Sequence, residues 1–179
     1  MFFDKLLGSR NRALVEAASR SQGIIEFDLD GTIKDANENF LRTMGYGIEE
    51  IRGKKHSIFV DADEARSPAY RAFWDELRGG AHKVAEFRRL AKGGREVWIQ
   101  ASYSPMLGSG GKPVGVVKIA TDVTEAKLRT LSAEAQVASI RKSQAVIHFR
   151  PDGTIVDAND IFLRMMGYER GEIIGRNHN

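Results

Sequence analysis

Residues 21–57 read SQGIIEFDLDGTIKDANENFLRTMGYGIEEIRGKKHS, and residues 143–179 read SQAVIHFRPDGTIVDANDIFLRMMGYERGEIIGRNHN. The second stretch follows the first at a constant offset of 122 without a gap, and about 21 of the 37 paired positions are identical. An internal repeat of that length encodes one structural unit twice. Within it, Ile24, Ile25 and Phe27 form a short apolar run, and Thr32, Ile33 and Ala36 follow Asp30-Gly31. Asp-Gly between two apolar runs marks a hairpin, because glycine takes the positive φ that a tight turn needs. The second copy has Arg150-Pro151-Asp152-Gly153 in that place, with proline presetting the first corner. Asn37 and Asn159 then stand where a side-chain oxygen caps the free amides of a helix, and Glu38 or Asp160 follows in the first turn. Phe40, Leu41 and Met44 supply the apolar stripe of that helix, which Gly45 ends. Ile48 to Ile51 adds one further turn before Gly53.

Between the copies, Ala62 to Arg66 reads as a loop and Ser67-Pro68 as a helix start, with serine as cap and proline at the first position. Tyr70, Phe73, Trp74 and Leu77 form the apolar face of that helix, and Gly79-Gly80 stops it. Three strands follow, at about Val84–Leu90, Glu96–Met106 and Pro113–Asp122. Lys92-Gly93-Gly94 and Gly108-Ser109-Gly110-Gly111 supply the turns, so consecutive strands are antiparallel. Val97, Ile99 and Ala101 alternate with Trp98 and Gln100, which places the aliphatic set inside and Trp98 outside. Lys118 interrupts Val116-Val117-Lys118-Ile119-Ala120, a strand that should be central. Facing inward, its ammonium needs an anion such as a ligand phosphate or carboxylate. Facing outward, it pairs with an acid on the helix that follows. The sequence leaves both open.

Two helices flank this unit. Residues 3–21 carry Phe3, Leu7, Leu14 and Ala17 at helical spacing. In the connector, residues 125–142, Leu128, Leu131, Ala135 and Ala138 continue from Thr124 in steps of four and three. That heptad seam suits one half of a parallel coiled coil, and equally a single amphipathic helix lying on its own sheet.

Composition narrows the classes of function. The chain has 42% hydrophobic and 28% charged residues, as an ordinary globular protein does, and no cysteine, which excludes disulfides, thiolate metal sites and a cysteinyl chromophore adduct. A net charge of +3, spread among acids, argues against nucleic-acid binding. The short clusters Arg52-Gly53-Lys54-Lys55 and Arg88-Arg89-Leu90-Ala91-Lys92 read as solvated charges. No apolar run reaches membrane-spanning length, and Met1-Phe2-Phe3-Asp4 does not begin a signal peptide, so a cytoplasmic location is expected. No nucleophile, base and acid order, metal-spaced group or phosphate-cradling loop is present, so no enzyme is expected.

Strand, turn, strand, capped helix, Gly-Tyr and Glu-Ile-x-Gly together resemble the first half of a PAS domain. The carriers are Asp30-Gly31-Thr32-Ile33, Asp35-Ala36-Asn37, Phe40-Leu41, Met44-Gly45-Tyr46 and Glu50-Ile51-x-Gly53, most of them repeated in the second copy. Lys92-Gly93-Gly94, Val97-Trp98-Ile99 and Thr121-Asp122-Val123-Thr124 match the second half. The resemblance implies an α+β fold whose five-stranded antiparallel sheet has the order 2-1-5-4-3, with short helices over one face. It also implies a complete PAS domain over 21–124 and an incomplete second one over 143–179. Lacking its last three strands, the second copy would have an unpaired edge and an uncovered apolar face, so it is expected to be poorly ordered or to pair with another chain.

Within that family, His56, Ala72-Phe73-Trp74, Gly93-Gly94-x-x-Val97-Trp98 and Ser104-Pro105 are similar to the sensory domains of methyl-accepting chemotaxis proteins, above all the aerotaxis-receptor type. The resemblance implies a sensor of redox state, oxygen or a small ligand, with His56, Phe59, Tyr70, Trp74 and Lys118 around a cavity. It implies FAD as cofactor first, haem on His56 second, and an empty or small-ligand cavity third. Val60-Asp61-Ala62-Asp63 departs from the flavin-binding pattern, in which a basic residue stands in this run. By the same resemblance Asp122 and Thr124 relay the signal into the connector. The partners implied are a second copy, through the flanking helices, and a downstream chemotaxis signalling domain. Input to a histidine kinase or diguanylate cyclase is the alternative, and ligand-free dimerisation a third.

Overall fold

The computed structural model describes residues 9–178, and the chain divides into two compact units, one ending at Glu125 and the other beginning at Ala126. The first opens with α1 (Ser9–Ser21), β1 (Gly23–Phe27), β2 (Ile33–Ala36), α2 (Glu38–Met44) and α3 (Ile48–Ile51). A 3-10 turn at His56–Phe59, then α4 (Ala62–Arg66) and α5 (Pro68–Arg78), lead to β3 (Lys83–Leu90), β4 (Glu96–Leu107) and β5 (Pro113–Asp122). Helix α6 (Thr124–Ser143) follows. The sheet is antiparallel in the order β2-β1-β5-β4-β3, as the resemblance implies.

Local chemistry explains these elements. Gly31 takes φ +80 in the turn between β1 and β2, and the Asp30 carboxylate accepts the Thr32 amide at 3.0 Å. A Cβ on Gly31 would also stand 3.1 Å from the Trp74 indole, so this position needs glycine for space as well as for φ. The Asn37 side chain accepts the amides of Phe40 at 3.0 Å and Ile24 at 2.8 Å, capping α2 and fixing it to β1. Ser67 caps α5 through the Tyr70 amide at 3.0 Å, with Pro68 in the first turn.

Register sets the inner face. Tyr103 pairs with Lys118, and Lys118 with Ile25; Val97, Ile99, Ala101 and Tyr103 are all buried on one face of β4. Trp98 alternates with them and is half-buried, so the inward aliphatic set is as read from the sequence. Phe27, Phe40, Met44, Ile51, Phe59, Trp74 and Leu77 complete one core between sheet and helices.

Two expectations meet a different structure or fall outside it. Ala62–Arg66 is a short helix, not a loop: Asp63 and Glu64 lie in its first turn and Arg66 in its last, which suits the helix dipole, and Ser67 before Pro68 is extended and ends it. The N-terminal helix is described only from Ser9, so Phe3 and Leu7 lie outside the described residues. Helix α6 buries no residue, and Leu128, Leu131, Val137 and Ile140 are exposed.

The second unit contains β6 (Ile147–Phe149), β7 (Ile155–Ala158), α7 (Asp160–Met166) and α8 (Arg170–Ile173). Asn159 repeats the double role of Asn37, accepting Phe162 N at 3.0 Å and Val146 N at 2.9 Å, and Gly167 closes α7 as Gly45 closes α2. Its core is small, Ile155, Ala158, Leu163 and Ile173, while Phe149, Met165, Met166 and Tyr168 are exposed.

Candidate functional site

His56 is placed by the first turn after α3. Its amide donates to Gly31 O at 2.8 Å and Ile33 N donates to Lys54 O at 2.8 Å, which tie the turn to the hairpin and drive the imidazole inward. The ring is fully buried. Nδ1 is 2.9 Å from the Tyr70 hydroxyl on α5, and Nε2 is 3.0 Å from the Tyr103 hydroxyl on β4. Phe27, Phe59, Trp74 and Tyr103 meet the imidazole edge-on at 5.4–6.0 Å between centroids, and Tyr70 stacks at 5.9 Å. Burial holds the imidazole well below the usual histidine range, and the charges of Lys118 and Arg89 push it the same way. It is therefore neutral, donating to one tyrosine and accepting from the other. Burial also pushes the Tyr103 phenol up to about 12.

Lys118 faces inward. Its side chain is fully buried, with Nζ 5.0 Å from the centroid of Tyr103 and 5.3 Å from that of Phe40, and no hydrogen-bond partner. Burial, and then repulsion from Arg89, hold the amine well below the usual lysine range. The outward alternative, pairing with an acid on the connector, is excluded by this geometry.

Arg89 corrects the reading of 88–92 as solvated charge. Arg88 is on the surface, bonded to Asp61 and, at 2.6 Å, to Glu96. Arg89, on the opposite face of β3, is buried: Nη1 meets Glu64 at 3.1 Å, the guanidinium lies 4.7 Å over the Phe87 ring, and Nε has no partner. Strand alternation alone separates the two arginines.

Of the residues expected around a cavity, His56, Phe59, Tyr70, Trp74 and Lys118 all lie in this interior. Phe59 packs on Phe40, Tyr46 and His56, and Trp74 on Phe27 and Phe73. A cleft of about 230 Å³ beside Asp30 and Lys55 is lined by His56, Tyr70 and Trp74, and Lys118 is not among its lining residues. Tyr103 and Arg89 are the residues sequence reading missed. Extending the alternation of Val97, Ile99 and Ala101 by one step would have found Tyr103.

Asp122 and Thr124 lie where β5 gives way to α6. The Thr124 amide donates to Asp122 Oδ1 at 2.9 Å, and the Thr124 hydroxyl accepts the Trp98 amide at 2.9 Å. Val123 N donates to Trp98 O at 2.8 Å. The start of α6 is thus bonded to the residue of β4 that stands between inward-facing Val97 and Ile99.

The two cofactors fit these residues unequally. An iron ligand at His56 would have to give up one of its tyrosines, and the rings of Phe27, Phe59, Trp74 and Tyr103 stand within 6.0 Å of the imidazole where a porphyrin would have to lie. Haem does not fit. A flavin would find an aromatic wall and the orphaned Lys118 donor, but the cleft is below the roughly 300–1,000 Å³ of pockets for ligands of that size. The rings of Phe27, Phe59, Trp74 and Tyr103 already close on the imidazole of His56.

This sheet order, with helices arched over a buried polar centre, defines a PAS domain, and the chain belongs to the PAS family. Residues 33–120 match the family described as PAS fold, and residues 144–178 the one described as PAS domain. The biofilm dispersion protein BdlA of Pseudomonas aeruginosa is 40% identical over 90% of this chain and 39% of its own length. The aerotaxis receptor of Escherichia coli is 25% identical over 68% of this chain and 24% of its own. The chain therefore spans less than half of either relative. The crystal structure of a PAS domain from Colwellia psychrerythraea matches with a TM-score of 0.57 at 23% identity, over 65% of this chain and 99% of that one. Among the described residues no helix is long and apolar enough to cross a membrane.

Proposed function

We propose that this chain is the sensory input of a chemotaxis-type signalling protein and that it catalyses no reaction itself. The first unit, a PAS domain over 21–124, receives the signal in the interior around His56 and Lys118. The observation that carries the reading is the bond from Thr124 to Trp98, because it joins the sheet lining that interior to the helix leaving it. Binding or a change of state beside Tyr103 shifts β4, and Thr124, held by Asp122, passes the shift to α6. Biasing a two-state helix pair takes only a few kcal/mol.

Exposed Leu128 and Leu131 form the seam through which α6 pairs with its counterpart in a second copy, in the cytoplasm, ahead of a downstream signalling domain. The chain has no cysteine, so single cysteines introduced along 126–140 report that pairing cleanly. Disulfide yield should peak at 128, 131, 135 and 138, and Thr124→Val should change the yields at those positions. A flat profile would overturn the dimeric relay.

FAD as the sensed group is a second reading, favoured by Trp74 on the inner face. It requires the aromatic interior to open around the ring system. The absorption spectrum of freshly purified protein decides it: flavin bands support FAD, and their absence leaves a small ligand or an empty interior.

A further inference from the structure

We propose that the interior of the first unit binds a small monocarboxylate, whose negative charge pairs with Lys118 while its carbon chain lies among the rings of Phe40 and Tyr103. This rests on the reading of the unit as a sensory input and names the ligand class. A buried amine without an acceptor is costly, and aromatic faces offset only part of that cost. Were Lys118 there for packing alone, an apolar side chain of similar volume would serve the fold better.

Among the described residues no acid shares the inner face with the amine: Glu26, buried on β1, pairs with Val117 and so stands on the opposite face of the sheet from Lys118. The Tyr103 ring of β4 lies 5.0 Å from the amine, Arg89 of β3 repels it, the charge of Lys118 acts on His56 in the 3-10 turn, and Tyr70 of α5 is bonded to His56. Glu64 of α4 is engaged with Arg89 and neutralises it. That pairing leaves the Lys118 amine as the one group able to take up a charge against a ligand anion, so the ligand carries one negative charge. Lysine is a point charge without the fork that grips two oxygens at once, which again fits a single carboxylate with an apolar tail. A cleft of about 230 Å³ is lined by His56, Tyr70 and Trp74 and not by Lys118, so a ligand reaches the amine only when the rings beside His56 part, which limits it to an acid of a few carbons.

Binding has a signature that packing does not. The carboxylate favours the charged amine, so complex formation takes up a proton wherever the unliganded amine is neutral. The test is calorimetric titration of the whole chain with sodium propionate and with propionamide, its uncharged analogue, in phosphate and in Tris. Propionate should bind, with buffer-dependent heat showing proton uptake, and propionamide at least tenfold more weakly. Lys118→Met should weaken propionate at least tenfold while the protein still unfolds cooperatively, and Lys118→Gln should do the same with a polar group retained. Equal binding of the two probes, unchanged binding by both variants, or no propionate binding up to about 10 mM would overturn the proposal. Absent binding with an intact cross-linking pattern along α6 removes the carboxylate and leaves the sensory relay standing. Binding with a flat pattern removes the relay instead.

Discussion

The hydroxyl of Thr124 accepts the backbone amide of Trp98 at 2.9 Å, so the first residue of α6 is bonded to β4 near its start. Val123 N bonds the same residue's carbonyl at 2.8 Å, and the two contacts hold strand and helix as one corner. Thr124→Val keeps the shape of the side chain and leaves the Trp98 amide without its acceptor. The expected loss is about 1–2 kcal/mol of stability, and Thr124→Ser should recover most of it. Thermal unfolding of the three proteins measures both.

Lys118 should give the protein an unusual pH dependence. Its amine is held well below the 10.5 of an unfolded lysine, so between the two values the unfolded chain binds more protons than the folded one. Stability therefore rises with pH through that window and levels off above about 10.5. Lys118→Met should remove this slope and raise stability at neutral pH. Urea unfolding from pH 7 to 10 tests it, and a wild-type profile as flat as that of the variant would show that the amine is not desolvated.

His56 gives a second slope on the acid side. The imidazole is buried neutral, and its value in the folded protein lies below 6.5, so acidification below about 6.5 favours the unfolded chain, which takes the proton. His56→Phe should abolish that slope. It should also cost about 2–4 kcal/mol, because the Tyr70 and Tyr103 hydroxyls each lose a partner. Adding Tyr103→Phe to His56→Phe should recover part of the loss, and the double-mutant cycle reads the coupling directly.

The repeat made the fold legible. Asn37 and Asn159 at equivalent positions, followed by the same apolar stripe and glycine, fix strand, turn and capped helix twice over. The inward set of β4 was legible by the same logic, since period two needs only the neighbours on the strand. What could not be read is which polar groups meet across sequence. His56, Tyr70 and Tyr103 are far apart in the chain, and nothing local brings their hydrogen bonds together. Lys118 and Arg89 were ambiguous for a related reason. A cation inside a strand pattern can face either way until register assigns its face, and two neighbouring arginines look alike until alternation sends one inward. The Ala62–Arg66 helix was missed because five residues give no period to detect; only its capping charges mark it.

Two glycines on β5 and the loop before it separate a steric requirement from a tolerated choice. Gly115 lies opposite Met106, and a Cβ there would stand 2.8 Å from Met106 Cε and 2.9 Å from the backbone oxygen of Phe27. The methionine can turn away, but the carbonyl oxygen belongs to β1 and cannot move without disturbing the ladder between β1 and β5. Gly115→Ala should therefore cost about 1–3 kcal/mol by forcing the two strands apart. Gly110, in the hairpin between β4 and β5, has open space around the same added atom and no positive φ. Gly110→Ala should be neutral or slightly stabilising, by less than about 1 kcal/mol, because it reduces the freedom of the unfolded chain. Denaturant midpoints of the two variants test the contrast. Equal effects would mean that the β1–β5 pairing has more slack at Phe27 than the packed geometry allows.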